Sequence, residues 1–260
     1  MKKYLSIIVF IWLGCIATVV AQPKHTVIKG QYIATDAKLS DTLNYQVHLP
    51  DGFDPAKKYP MLVMLHGSGE RGKDNEIQYK HFAPFVENAT IRSQHPAIIV
   101  IPQCPRSSSW TWWLTDRDTI SFTLKPKPTV PLQNLKTLLG QLEKQYKIDD
   151  ERRYITGLSM GGLGTFEFLS YYPGYFTAAA PVCGGGDIKK VRKIKKSAVW
   201  LFHGGADRVV VPSLSRRMYH ALLEADAEVV YTEFPGVGHD SWVQTYQQVI
   251  LADWIFAHEQ

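Results

Sequence analysis

The stretch Arg153-Tyr154-Ile155-Thr156-Gly157-Leu158-Ser159-Met160-Gly161-Gly162-Leu163-Gly164 decides how the rest of the chain is read. A short β-prone run over 154–156 leads into Gly-x-Ser-x-Gly, and helix-favouring residues (Leu163, Phe166, Glu167, Phe168, Leu169) follow. The pattern predicts a strand, a sharp turn and a helix. Such a turn holds Ser159 in a strained backbone conformation that only small neighbours permit, so a Cβ at Gly157 or Gly161 would collide with the adjacent strand or helix. The strain lifts the hydroxyl clear of the sheet edge, with the positive end of the helix aimed at it. Ser159 is therefore the candidate nucleophile, and the rest of the chain is searched for a base, an acid and an oxyanion hole.

With 260 residues, 45% apolar and 12% aromatic, the chain can bury a large core as one α/β domain. Its start, Met1-Lys2-Lys3 followed by an apolar run to Val20 and then Ala21 before Gln22, has the three regions of a secretory signal peptide. Residues 1–21 are expected to be removed and 22–260 to form the mature domain, secreted or periplasmic and not inserted in a membrane. An uncleaved anchor, or lipidation at Cys15, is the lesser reading. Loss of Lys2 and Lys3, with no acid, takes the formal charge from +5 to +3, which argues against a nucleic-acid partner. The basic run over 189–196 spaces its two apolar residues, Val191 and Ile194, three apart, as a solvated helical turn with one buried edge would. Two cysteines, Cys104 and Cys183, remain after cleavage, and export leaves a bridge between them open. Asn88-Ala89-Thr90 fits a glycosylation acceptor.

Along the chain, 25–33 and 43–49 read as strands, and Leu43, Tyr45 and Val47 alternating with Asn44, Gln46 and His48 predict one wet face. The continuously apolar runs 61–65 and 97–101 suit parallel strands buried on both faces, with a helix over 79–88 between them disturbed by Pro84. From 102 to 131 periodicity vanishes into a loop rich in proline, serine and tryptophan, a length that usually signals function. Thr129 and Pro131 then open a helix with Leu132, Leu135, Leu138, Leu139, Leu142 and Tyr146 on one face. Further strands over 178–182, 198–202 and 229–234 alternate with helices over 213–225 and 242–258, the last with Val243, Tyr246, Ile250 and Trp254 at helical spacing. The fold class is thus α/β, an open, mostly parallel, doubly wound sheet flanked by helices.

In such a sheet the chemistry gathers at the carboxyl ends of the strands. After 61–65 comes His66-Gly67-Ser68-Gly69-Glu70-Arg71-Gly72, whose glycines let backbone N–H groups approach a ligand. A serine hydroxyl needs a base near neutrality, and His239, after the last strand and beside Gly236 and Gly238, is the histidine so placed. Asp207, after the strand over 198–202, is the favoured carboxylate to orient it, with Asp187 as the fallback. Asp240 reads as a helix-capping or substrate-side residue. The backbone N–H of Met160, opening the helix after the nucleophile, is one expected oxyanion donor. Trp110, Trp112, Trp113 and Trp242 are the substrate candidates, since indole faces stack on sugar rings and aromatic acyl groups. Glu70 and Arg71 either clamp a substrate or hold their own loop in shape.

Ser159, Asp207 and His239, in that chain order at three strand ends, resemble the α/β-hydrolase superfamily over nearly all of the mature chain. More narrowly, the loop at 65–72, Pro102-Gln103-Cys104-Pro105 with its downstream tryptophans, Cys183-Gly184-Gly185-Gly186-Asp187 and Gly238-His239-Asp240-Ser241-Trp242 are similar to exported esterases related to feruloyl and acetyl xylan esterases. That group also carries phospholipase/carboxylesterase and peptidase labels. The resemblance implies a serine esterase acting on a small or polysaccharide-linked ester, with no metal and no cofactor, and with Ser68 as the second oxyanion donor. The alternatives are a serine peptidase of prolyl-oligopeptidase-like type and a non-catalytic binding protein on the same fold.

Overall fold

The computed structural model describes residues 25–34, 42–112 and 124–260. The signal-peptide reading and Trp113 lie outside these residues. Eight strands form one sheet: β1 (Val27–Tyr32), β2 (Leu43–His48), β3 (Tyr59–Leu65), β4 (Ile98–Gln103), β5 (Ile148–Leu158), β6 (Ala178–Val182), β7 (Ala198–Gly204) and β8 (Val229–Phe234). Their spatial order is β1-β2-β4-β3-β5-β6-β7-β8. β1 and β2 join antiparallel, β2 runs antiparallel to β4, and every pairing from β4 through β8 is parallel. This is the mostly parallel, doubly wound α/β-hydrolase architecture expected from the sequence.

Period-two alternation divides the strands between two apolar layers. Met61, Val63 and Leu65 of β3 face one layer, closed by Leu132, Leu135 and Leu139 of α3 (Val130–Tyr146) and by Phe166 and Leu169 of α4 (Met160–Tyr171). Leu62 and Met64 face the other, with Phe82, Phe85, Tyr246 and Leu251. Both faces of β3 are covered, hence its unbroken apolar run. The ends of α3 follow its sequence: Thr129 caps the Leu132 N–H, proline occupies the first turn, and Lys147 turns left-handed after the last (φ 49°).

Four elements depart from the sequence expectation. The polar residues of β2 are not wet, because residues 73–79 lie across them. The Asn44 and Gln46 amides donate to the Lys73 and Asn75 carbonyls, and His48 stacks on Tyr79. Alternation reports polarity, and here the polar face meets backbone rather than water. The helix expected over 79–88 is two short ones, α1 (Ala83–Val86) and α2 (Ala89–Gln94). Pro84 sits in the first turn of α1, where its missing N–H costs nothing, and the Asn88 side-chain oxygen Oδ1 caps α2 by accepting from the N–H groups of Thr90 and Ile91. The strand before Ser159 runs 11 residues, well beyond 154–156. The last helix is broken into α7 (Trp242–Thr245) and α8 (Val249–Phe256), so Val243 and Ile250 are exposed while Tyr246 is fully buried.

Two expectations carry over. Val191 and Ile194 lie in α5 (Val191–Ile194) with Ile194 as the buried edge of the basic run. The helix expected over 213–225 is α6 (Ser213–Glu224), with Ala225 as its C-cap. No helix among the described residues is long and apolar enough to cross a membrane.

Candidate active site

The turn between β5 and α4 is built from close backbone approaches. A Cβ at Gly161 would stand 1.9 Å from the Leu65 carbonyl oxygen, and one at Gly157 would stand 2.4 Å from that of Gly161. Only glycine allows α4 this near to β3 and β5. Between them Ser159 takes φ 52°, ψ −114°, a conformation rare for a residue with a side chain, held by its N–H donating to the Val182 carbonyl at 2.9 Å. Met160 is the first residue of α4, so its N–H has no acceptor within the helix and sits next to the Ser159 hydroxyl.

Three strand ends converge there. His239 Nε2 lies 2.9 Å from Ser159 Oγ, and His239 Nδ1 lies 2.7 Å from Asp207 Oδ2. Both distances are within proton-transfer reach. Asp207 is fully shielded at its side chain, and the His239 side chain keeps 20% of its surface open. Burial works against ionisation of Asp207. Hydrogen bonds from His203, His239 and the Val209 N–H outweigh it and hold the carboxyl well below the usual carboxylate range. Asp187 serves elsewhere: its oxygens accept the Lys189 and Leu124 N–H groups. Asp240 caps nothing with its exposed side chain, and only its backbone carbonyl accepts, from the Val243 N–H.

The loop after β3 reaches the site from the other side. A Cβ on Gly67 would come 3.7 Å from that of Ser159, so the Gly67–Ser68 backbone flanks the hydroxyl. Several bonds freeze this loop. His66 donates from Nδ1 to the Gly67 carbonyl and accepts the Cys104 N–H at Nε2. Those two bonds fix its neutral tautomer, and burial lowers its pKa to about 4. Gln103 links the Glu70 carbonyl to the Asn75 N–H, and Arg71 ties the Ser68 and Ser108 carbonyls together. Glu70 does not pair with Arg71; it meets His81 at 3.3 Å. Burial opposes its ionisation, but His81 and the Gly67 N–H hold its carboxyl below the usual range. The sequence reading assigned nothing to His66 or His81. His66 stood at a strand end and was open to the argument used for His239; no sequence signal marked His81.

The tryptophans separate. Trp110 is fully buried, edge-on to His66 and against Gly164, so it belongs to the core and cannot contact substrate. Trp112 is 41% exposed, carries the Lys125 ammonium over its ring, and lines a cleft of about 300 Å³ with Arg71, Ser107, Ser108, Ser109 and Thr111. Trp242 meets the His239 ring edge-on at 5.2 Å and His81 at 5.4 Å. Glu167 of α4 anchors the Trp112 loop, accepting from the Thr111 hydroxyl and the Trp112 N–H, and burial lifts its carboxyl to about 7.

Cys104 and Cys183 are both buried and not joined by a disulfide, so the bridge left open by the sequence is not formed. Cys183 takes φ 50°, and its Sγ donates to the His239 carbonyl and touches Ser241 Oγ. Cys183, His203 and Asp207 bring ligand-type atoms within 4.8 Å of one another. Each is already spent on hydrogen bonds, and burial pushes the thiol up to about 12, so the set fits a hydrogen-bonded network better than a metal.

Residues 37–200 match the family described as "Esterase: Putative esterase". The chain belongs to this esterase family. Among its relatives is the bifunctional acetylxylan esterase/xylanase XynS20E of Neocallimastix patriciarum, 25% identical over 67% of this chain and 23% of that one. Poly(3-hydroxyalkanoate) depolymerase C of Paucimonas lemoignei is 36% identical over 53% of this chain and 30% of its own length. The crystal structure of a thermostable esterase superposes with TM-score 0.81 at 35% identity, covering 91% of this chain and 63% of that one. The match thus spans less than a third of the two curated relatives.

Proposed function

We propose that this esterase hydrolyses carboxylic esters through an acyl-enzyme on Ser159, with His239 as general base and Asp207 as its orienting carboxylate. The observation that carries the reading is the 2.9 Å approach of His239 Nε2 to Ser159 Oγ. His239 takes the hydroxyl proton as Oγ attacks the ester carbonyl, and the Met160 and Ser68 N–H groups stabilise the oxyanion. Collapse breaks the ester C–O bond, and His239 returns its proton to the departing alcohol. Water, deprotonated by the same imidazole, then attacks the acyl-enzyme and releases the acid and Ser159. Throughout, Asp207 stays ionised and stabilises the imidazolium, a role its depressed pKa supports.

The substrate class favoured is a carbohydrate-linked acyl or feruloyl ester, with Trp242 beside the base and Trp112 on the cleft as contacts and Glu70 shaping the loop between them. The match to an acetylxylan esterase/xylanase supports this class. The depolymerase relative supports an aliphatic polyester instead, and parallel turnover of acetylated xylan, a feruloylated oligosaccharide and a hydroxyalkanoate oligomer decides between them. Cleavage after Ala21 and export complete the reading; the mass of the mature protein, beginning at Gln22, checks it.

The decisive experiment is Ser159→Ala assayed on p-nitrophenyl acetate, with organophosphonate labelling of the parent. Turnover is expected to fall by at least about 10⁴-fold without loss of fold, and the label to map to Ser159. Retained turnover sinks the mechanism, and ester turnover without peptide turnover removes the peptidase alternative.

A further inference from the structure

Asp207 receives a second imidazole that the reaction does not consume. His203, in β7, is fully buried, and an imidazole placed there is costly unless its nitrogens find partners. Its Nε2 stands 2.8 Å from the Val210 carbonyl and 3.2 Å from Asp207 Oδ2. Both are acceptors, since the carboxylate is ionised, so Nε2 carries a hydrogen shared between them. Its Nδ1 lies 2.7 Å from Ser215 Oγ, and that hydroxyl reaches the Gly184 carbonyl at 2.8 Å. The ring is thereby tied to α6 and to the turn after β6.

A count of donors on the carboxylate gives the consequence. Oδ1 accepts the Val209 and Val210 N–H groups at 2.8 and 3.0 Å, while Oδ2 accepts His239 and His203. Three of the four donors stay in place when His239 changes protonation or swings away. His203 also holds Val210 through its carbonyl, so the same ring fixes the turn that supplies the two N–H donors to Oδ1.

We infer that His203 is a positioning residue, which sets the plane of the Asp207 carboxylate through Oδ2 and through Val210, and so aims His239 at Ser159 without touching substrate. The inference rests on the triad reading above. It predicts a loss in kcat with KM preserved, and a loss that exists only while Asp207 is a carboxylate.

The test is a double-mutant cycle on p-nitrophenyl acetate hydrolysis, with His203→Phe to keep ring shape and remove the hydrogen bonds of both ring nitrogens. The expected result is a kcat about 30-fold lower with KM within about twofold, shrinking to less than about threefold when the same change is made in Asp207→Asn. His203→Gln places an amide N–H near the Nε2 position and is expected to recover most of the loss. His203→Asn places it near Nδ1 and is expected to behave like Phe. Should His203→Phe fail to fold, judged by thermal unfolding, the Gln and Asn pair carries the same comparison. Equal fold-losses in the two Asp207 backgrounds, a kcat for Phe within about twofold of the parent, or Gln no better than Asn would each overturn the inference. Ser159→Ala assayed alongside separates the two levels. Its failure to abolish turnover removes the triad reading, whereas its success beside an additive His203 cycle removes only the positioning role.

Discussion

The turn after β5 and the loop after β4 leave neighbouring parts of the same sheet edge, yet different forces hold them. The first is fixed by backbone against backbone: Gly157, Gly161 and Gly162 lie so close to the Leu65, Gly161 and Val182 carbonyls that no side chain fits. The second is held by side chains reaching to it, with Glu167 and Arg71 supplying its acceptors and donors and Trp110 its apolar weight. Backbone contacts of the first kind admit no substitution, while a side-chain tether can be weakened by degrees. That contrast matches the roles proposed: a reacting hydroxyl needs one geometry, and a substrate wall does not.

Substitutions sharpen the contrast. The largest effect is expected from Gly161→Ala, whose new methyl must displace the Leu65 carbonyl; a loss of more than about 4 kcal/mol, or no folded protein, is expected by chemical denaturation. A fully stable Gly161→Ala would erase the distinction. Next, Trp110→Ala should cost about 3–5 kcal/mol, as a core truncation does. A third effect is set by pH. The Glu167 carboxyl is raised from 4.5 to about 7, so the unfolded chain releases its proton first as pH rises. The contribution of Glu167 is therefore full below about 4.5 and declines by up to about 3 kcal/mol as pH rises from there through about 7. Glu167→Gln should flatten the unfolding temperature across that window; an unchanged slope would show that the tether does not titrate there. The smallest stability effect belongs to Trp112→Ala, under about 1 kcal/mol, with a higher KM for a carbohydrate ester and an unchanged one for p-nitrophenyl acetate.

How far these regions could be read beforehand follows the same division. Glycines that carry a packing constraint announce themselves, so the strand, the turn and the helix around Ser159 were legible, as were the parallel strands from their unbroken apolar runs. Trp110 and Trp112 were not separable, since two indoles two positions apart differ only in which way an aperiodic loop turns them. The break between α7 and α8 was hidden because Val243, Tyr246 and Ile250 satisfy a helical period that the chain does not keep. The polar face of β2 misled for a related reason: burial beneath residues 73–79 depends on backbone acceptors that no side-chain pattern encodes.

Tyr246 bears one further consequence. Its phenol meets Thr156 Oγ1 at 2.9 Å across 90 positions, Tyr154 donates to the His258 carbonyl across 104, and Ser159 finds His239 across 80. On the ribosome the serine is therefore made well before the imidazole it meets and before the phenol that braces the strand beneath it. Under the proposed mechanism, a nascent chain halted anywhere in that interval holds an inert alcohol, and reactivity arrives late in synthesis, when the far edge of the sheet closes.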